Sequence, residues 1–207
     1  MKLHHYLLYF LVSFAFNVKS QTITIGSQIW ADKNLNVKTF RNGDIIIEAK
    51  TIEDWVIANE NKQPAWCYFQ NDSLNCEKFG LLYNWYAVND VRGLAPEGFH
   101  VPSDEEWEIL KTFLGGESIA GLKIKAKDAW IDRIYNDKYK FSAFPGGYRN
   151  IYGDFKYKDI TGIWWSSTKY NSTAAFSQEL EGGRDQLIRK YNWKSEGLSV
   201  RCLKNMN

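Results

Sequence analysis

Histidine is scarce in this chain of 207 residues: only three are present, and His4 and His5 fall within the first 20. Beyond that point a zinc site built on two or three histidines is excluded, as is an HExxH helix. Any Ser-His-Asp or Cys-His arrangement has only His100 to pass through. Long apolar runs are also missing. The one candidate, Tyr6 to Phe16, is eleven residues long, whereas a bilayer-spanning helix needs ~20. With Lys2 before it and the small residue Ser20 after it, the run reads as a secretory signal peptide covering residues 1–20. Residues 21–207 then form a single exported domain, secreted, periplasmic or on the cell surface, with no membrane insertion after cleavage. No cysteine follows the run directly, which disfavours a lipid anchor.

Excess charge is absent as well. Lysine plus arginine total 26 against 24 acids, and cleavage after Ser20 removes Lys2 and Lys19 and no acid, leaving a formally neutral chain. Such a chain lacks the long-range positive field that nonspecific nucleic-acid binding requires. Cysteine is sparse and odd in number: Cys67, Cys76 and Cys202, with no C-x-x-C pair. A thioredoxin-like redox site or zinc knuckle therefore lacks its ligands. In an exported protein the simplest expectation is one disulfide and one free thiol, with three single-bridge pairings open. No internal repeat or low-complexity linker stands out.

What is present begins with GFHVPSDEEW, residues 98–107. Ser103 followed by Glu106 has the form of a capping box, in which the hydroxyl accepts the amide proton three residues on and the glutamate reaches back. Asp104 and Glu105 then sit in the first turn, at the positive end of the helix dipole. The acids are thus explained by a helix over about 104–114, whose Trp107, Leu110, Phe113 and Leu114 recur at helical spacing before Gly115-Gly116. His100, just before this start, reads as a satisfied loop residue. A second capped helix is expected in TIEDWVIANE, led by Thr51, and a third in LLYNWYAVND, residues 81–90. TITIGSQIW predicts a hairpin with arms 22–25 and 28–31 around Gly26-Ser27. In LSVRCL, alternation predicts a half-buried strand with Leu198, Val200 and Cys202 on one face and Ser199 and Arg201 on the other. From about 130 onward glycine, aromatics and polar turns predominate and predict short strands and long loops. The class is α+β, with two to three helices in the first half and a loop-rich second half.

Several separated strings, IGSQIWADKNLNVKTFRNGD, PAWCYFQND, FGLLYNWYAVND, GLAPEGFHVPSDEEWEIL, FSAFPGGYRN, WWSST and LSVRCLK, together resemble the Fibrobacter succinogenes major paralogous domain of exported bacterial proteins. The resemblance spans about 23 to 204. It implies a C-type-lectin-like fold with short antiparallel sheets, in the branch that holds the formylglycine-generating, sulfatase-modifying enzymes. HVPSDEEWEIL is similar to the RLPTEAEWE helix opening of that branch. Those enzymes use a close pair of late cysteines with copper, whereas only Cys202 lies late here.

Function is expected to be recognition: binding of a glycan or a surface protein, with no catalytic residue, metal ligand or cofactor assigned. The chain carries nine Trp, twelve Tyr and twelve Phe, and all but five of these lie beyond Ser20. Such rings stack on sugar faces or anchor protein interfaces, though each can equally be packing. Trp164 and Trp165, if in a strand, point to opposite faces, one into the core and one outward. Tyr148, Arg149 and Asp154 flank the Gly146-Gly147 and Gly153 turns, where loop residues meet ligands. Tyr170, Tyr191 and Trp193 complete the set of candidate ligand contacts. The calcium-lectin patterns E-P-N or Q-P-D followed by W-N-D are not met, since Gln63-Pro64 precedes Ala65 and no W-N-D occurs. The alternatives are a degenerate relative of the formylglycine-generating enzymes with thiol or metal chemistry, or a purely structural piece of a surface assembly.

Overall fold

A computed structural model describes residues 21–206, so the expected signal peptide lies outside the described residues. The hairpin forms as the sequence predicts: β1 (Thr22–Ile25) and β2 (Gln28–Asn34) pair from Ile25 opposite Gln28. Gly26 takes φ +62° in the turn, the left-handed value that opens a type II′ loop. There follow β3 (Ile47–Glu48), α1 (Ile52–Glu60), β4 (Ala65–Cys67), α2 (Asn75–Phe79), β5 (Leu82–Tyr83), α3 (Trp85–Val88) and β6 (Phe99–His100). The second half holds α4 (Asp104–Phe113), α5 (Glu117–Ile124), β7 (Tyr148–Arg149), β8 (Phe155–Lys156), β9 (Thr161–Lys169), β10 (Ala174–Glu181), β11 (Ile188–Trp193) and β12 (Arg201–Lys204).

The strands make four small sheets, ordered β1-β2-β12-β6, β11-β10-β9, β3-β4-β5 and β7-β8. Every pairing is antiparallel except that of β3 with β4. The class is therefore α+β. Both predicted caps are made. Ser103 Oγ accepts from Glu106 N at 3.2 Å while Glu106 Oε2 accepts from Ser103 N at 2.8 Å, and Thr51 and Asp54 form the same reciprocal pair on α1.

Helices number five among the described residues: α1, α2 and α3 in the first half, within the two to three expected there, and α4 and α5 after them. LLYNWYAVND divides into β5 and the four-residue α3, because Asn84 caps the latter by accepting from Ala87 N at 3.2 Å. Sequence reading misses α2 and α5 outright, and in α5 Gly121 argues against a helix. A Cβ there would stand 2.7 Å from Asp185 O and 2.8 Å from Leu180 Cδ2, so glycine is what lets the helix backbone lie against the chain beside it.

The longest strands, β9 and β10, divide two of the cores. Ile163 and Trp165 face one with Tyr83, Trp85, Leu198 and Val200, while Trp164 and Leu180 face another with Trp30, Trp107, Leu110 and Phe141. A third packs Trp55, Ala65, Cys67, Phe69 and Leu82 beneath α1. The C-terminal strand is likewise covered on both sides. Arg201, expected on a polar face, is 1% exposed. Pairing of β12 between β2 and β6 takes it into the interior.

Buried cations hold the irregular segments. The Arg201 guanidinium donates to the carbonyls of Ala31 and Asp32 at 3.1 Å, to Phe141 O at 2.6 Å and to Asn34 Oδ1 at 3.0 Å. Lys125 donates to Glu181 O at 2.7 Å, Arg184 O at 2.8 Å and Tyr135 Oη at 2.9 Å, and its ammonium lies 4.2 Å from the Trp130 ring centroid. Burial pulls Arg201 down to about 10 and Lys125 to about 8. Where the chain forms no ladder, as at Phe141 and Arg184, its carbonyls still need donors, and these side chains supply them.

Candidate functional site

The outermost strand of the β11-β10-β9 sheet carries the exposed aromatics. Register sets Ala174 opposite Trp193, Phe176 opposite Tyr191 and Gln178 opposite Arg189, so alternation puts Arg189, Tyr191 and Trp193 on one face with Phe176. Tyr170 joins them from the β9–β10 hairpin. Its amide and that of Asn171 both donate to Ala174 O, at 3.1 and 3.0 Å, and Asn171 Oδ1 accepts from the amides of Thr173 and Ala174, each at 2.8 Å. The tip is thereby fixed. Tyr170 and Tyr191 stack with centroids 4.4 Å apart and planes 10° from parallel, and Phe176 meets Tyr170 edge-on at 5.2 Å.

Arg189 closes one end of this cradle. Its guanidinium carbon lies 3.8 Å from the Phe176 centroid, while Nε and Nη2 bond Asp104 Oδ2 at 2.8 and 2.7 Å. The Asp104 carboxylate holds Arg189 above its ordinary value, and the pair ties the first turn of α4 to β11. Tyr170, Phe176, Arg189, Lys190 and Tyr191 line a groove of about 610 Å³. Exposure is 48% for Tyr170, 61% for Tyr191 and 55% for Trp193, so rings and groove are open to a ligand.

The other expected contacts lie elsewhere. Trp164 and Trp165 are 1% and 0% exposed, which corrects the expectation that one of them faces outward. Both faces of β9 are covered by core, and each indole N–H is spent inside, Trp164 on Asn34 Oδ1 at 2.9 Å and Trp165 on Tyr83 O at 2.8 Å. Arg149 is corrected in the same way. It is fully buried between Trp55 and Phe155, each ring centroid 4.8 Å from its guanidinium, and it donates to Gly153 O at 2.9 Å and to Ala49 O and Thr51 O at 2.7 Å. Tyr148 is half-buried on β7, its ring tilted against Tyr157 at 6.0 Å. Asp154 is exposed beside Lys156 and accepts from Asn150 Nδ2 at 3.2 Å across the β7–β8 turn. Neither shares a hydrogen bond, ion pair or ring contact with the cradle. Arg189, Phe176 and Lys190 are the cradle residues that sequence reading missed. The i, i+2, i+4 spacing of Arg189, Tyr191 and Trp193 was the signal that could have found the first.

His100 lies in a cavity of about 410 Å³ with Gln28, Glu106, Ile109 and Met206. Its Nε2 is 2.8 Å from Glu106 Oε1 and its Nδ1 is 2.7 Å from Asn205 Oδ1, so both ring nitrogens are engaged within the protein. All three cysteines are free thiols, correcting the expected disulfide. Cys67 and Cys202 belong to different cores, and burial pushes each up to about 12. They are neutral at physiological pH. No group of three or more His, Cys, Asp or Glu suited to a metal ion occurs among the described residues, and no described helix is long and apolar enough to cross a membrane.

Fold and site together define an α+β domain with an exposed aromatic cradle on a sheet edge. The model of one family, the Fibrobacter succinogenes major domain, matches residues 23–204, and the chain belongs to that family. No curated protein and no solved structure matches it.

Proposed function

We propose that this is an exported, non-enzymatic recognition module, C-type-lectin-like in fold, that binds a glycan through the cradle of Tyr170, Phe176, Tyr191 and Trp193. The observation that carries this reading is the exposed, nearly parallel Tyr170–Tyr191 stack above a groove. Rings left in water cost apolar surface, and a stacked pair held by a rigid hairpin offers a flat apolar face at little entropic cost. Export by the N-terminal signal peptide brings the domain to where polysaccharides are met. Thiol chemistry of the formylglycine-generating kind finds no support in Cys67 and Cys202, which are buried apart and protonated.

The test is retention on a panel of insoluble and soluble polysaccharides, with and without calcium, alongside Tyr191→Ala and Trp193→Ala. Both side chains are exposed, so both variants are expected to fold. Binding weakened at least several-fold by either change supports the reading. Absence of binding to every polysaccharide refutes it, and capture of a surface protein by the same face would replace it.

A further inference from the structure

The sheet face that carries the cradle does not end at Phe176. Two residues along β10, Gln178 points the same way, with Arg189 opposite it on β11 and Trp164 opposite it on β9. Its neighbour on that face toward the cradle is Phe176, and away from the cradle it is Leu180, which with Trp164 belongs to the core beneath α4. Gln178 thus stands at the seam between an open aromatic face and a closed core. It is 1% exposed.

Both polar atoms of this side chain, Nε2 and Oε1, are buried without a hydrogen-bond partner in the protein. Turning the amide over exchanges the two atoms and partners neither. Buried side-chain polar groups are nearly always paired, because one left unmade has forfeited its bonds to water. Among the described residues the one other such atom is Trp107 Nε1, a single donor on a ring packed against Trp30 and Phe141 at 4.8 and 6.2 Å. Gln178 differs in holding a donor and an acceptor side by side, next to the groove. From its place opposite Gln178, the Arg189 side chain crosses to lie 3.8 Å from the Phe176 centroid and to bond Asp104 Oδ2 at 2.7 Å. Arg189 is exposed, and such a pair adds little net stability, since water solvates the charge it releases. Parting it costs little.

We propose that Gln178 is a specificity-determining residue of the cradle: when Arg189 swings off Asp104, the buried amide bonds two adjacent hydroxyls of a sugar seated at Phe176 beside the Tyr170–Tyr191 stack. Nε2 donates to one hydroxyl and Oε1 accepts from the other, a match that an amide makes because it carries both functions, as a pair of hydroxyls does. This rests on the recognition reading above and narrows it to glycans with a free vicinal diol at the stacked ring.

The experiment measures melting temperature and binding to soluble xylan, mannan and mixed-linkage glucan, each native and O-methylated. It uses the wild type, Gln178→Met, Asp104→Asn, the two combined, and Tyr191→Ala. Methionine keeps the length of glutamine and removes an amide that makes no bond in the free protein, so the melting temperature should hold or rise. Binding to the native polymer should nevertheless fall several-fold to about tenfold. O-methylation caps the hydroxyls and leaves the ring faces, and should weaken the wild type more than Gln178→Met. Asp104→Asn loosens Arg189, and should tighten binding several-fold in the wild type but not in the Gln178→Met background. Unchanged binding by Gln178→Met overturns the proposal and, with Tyr191→Ala still weakened, leaves the recognition reading standing. If methionine unfolds the protein or lowers its melting temperature, the other two arms decide: no gain from Asp104→Asn and no loss on O-methylation overturn it. Failure of the wild type to bind any polymer refutes both.

Discussion

Replacing Arg149 by methionine separates a ligand contact from a structural staple, and its cost can be worked from three hydrogen bonds. The guanidinium serves the carbonyls of Ala49, Thr51 and Gly153. Thr51 O also accepts from Trp55 N at 3.2 Å, so methionine orphans the carbonyls of Ala49 and Gly153 and leaves Thr51 O one partner. Leaving a buried acceptor unsatisfied costs about 1–3 kcal/mol, so the two together suggest about 2–6 kcal/mol. Against this, methionine is spared the desolvation of a charge that has no carboxylate partner, which returns part of the loss. We expect a net destabilisation of about 2–4 kcal/mol, large for a single substitution. In urea, with a slope of about 2 kcal/mol per molar, the midpoint should fall by roughly 1–2 M. Tryptophan fluorescence reports it directly, because Trp55 lies against the guanidinium. Arg149→Lys keeps the charge and loses the fork, and should fall between the two. An unchanged midpoint refutes the staple argument. A protein of wild-type stability that has lost polysaccharide binding would return Arg149 to the site.

Three further expectations follow from local chemistry. Ser103→Ala removes the α4 cap and should cost ~1 kcal/mol while leaving binding intact; loss of binding in the folded variant would show that residues 98–107 contribute more than a helix start. Glu196 is 9% exposed, and burial raises its carboxyl despite the bonds it accepts from Asn192 Nδ2 and Trp193 N. The folded state therefore keeps this proton to higher pH than the unfolded state, and between the two values the native form binds more protons, so stability falls as pH rises. From about 4.3, the ordinary glutamate value, upward, wild type should lose melting temperature relative to Glu196→Gln, and parallel curves would contradict the argument. Finally, a thiol reagent should leave Cys67 and Cys202 unmodified in the native protein and titrate three thiols in urea without reductant; fewer than three would reveal a disulfide.

What could be read from sequence was what side chains decide over short range. The caps at Thr51 and Ser103, the Gly26 turn and the Trp107, Leu110 and Leu114 face of α4 depend on residues within one or two turns of each other and are found in place, while Phe113, expected on that face, is 49% exposed. The misreadings share a different cause. Assigning an outward face to Trp164 or Trp165 and to Arg201 assumed sheets with one wet side, whereas β9 and β12 are covered on both. That depends on what the rest of the chain brings across, 130 residues away in the case of Asn34 and Trp164. The cradle was partly legible for the same reason in reverse. Tyr191 and Trp193 sit on an exposed edge strand where alternation alone sets the face, and Arg189 obeys the same period.

Lys194 joins the two halves of this picture. As a buried cation on carbonyls it belongs with Arg149, Arg201 and Lys125, each donating to a carbonyl outside the strands, at Ala49, Phe141 and Arg184. The segment it holds is the hairpin tip of Asn171 and Ser172, next to Tyr170, whose ring completes the stack on Tyr191. The side chain therefore acts on the cradle from beneath, by fixing the loop that presents one of its two walls, and a wall fixed before the ligand arrives does not have to be ordered on binding.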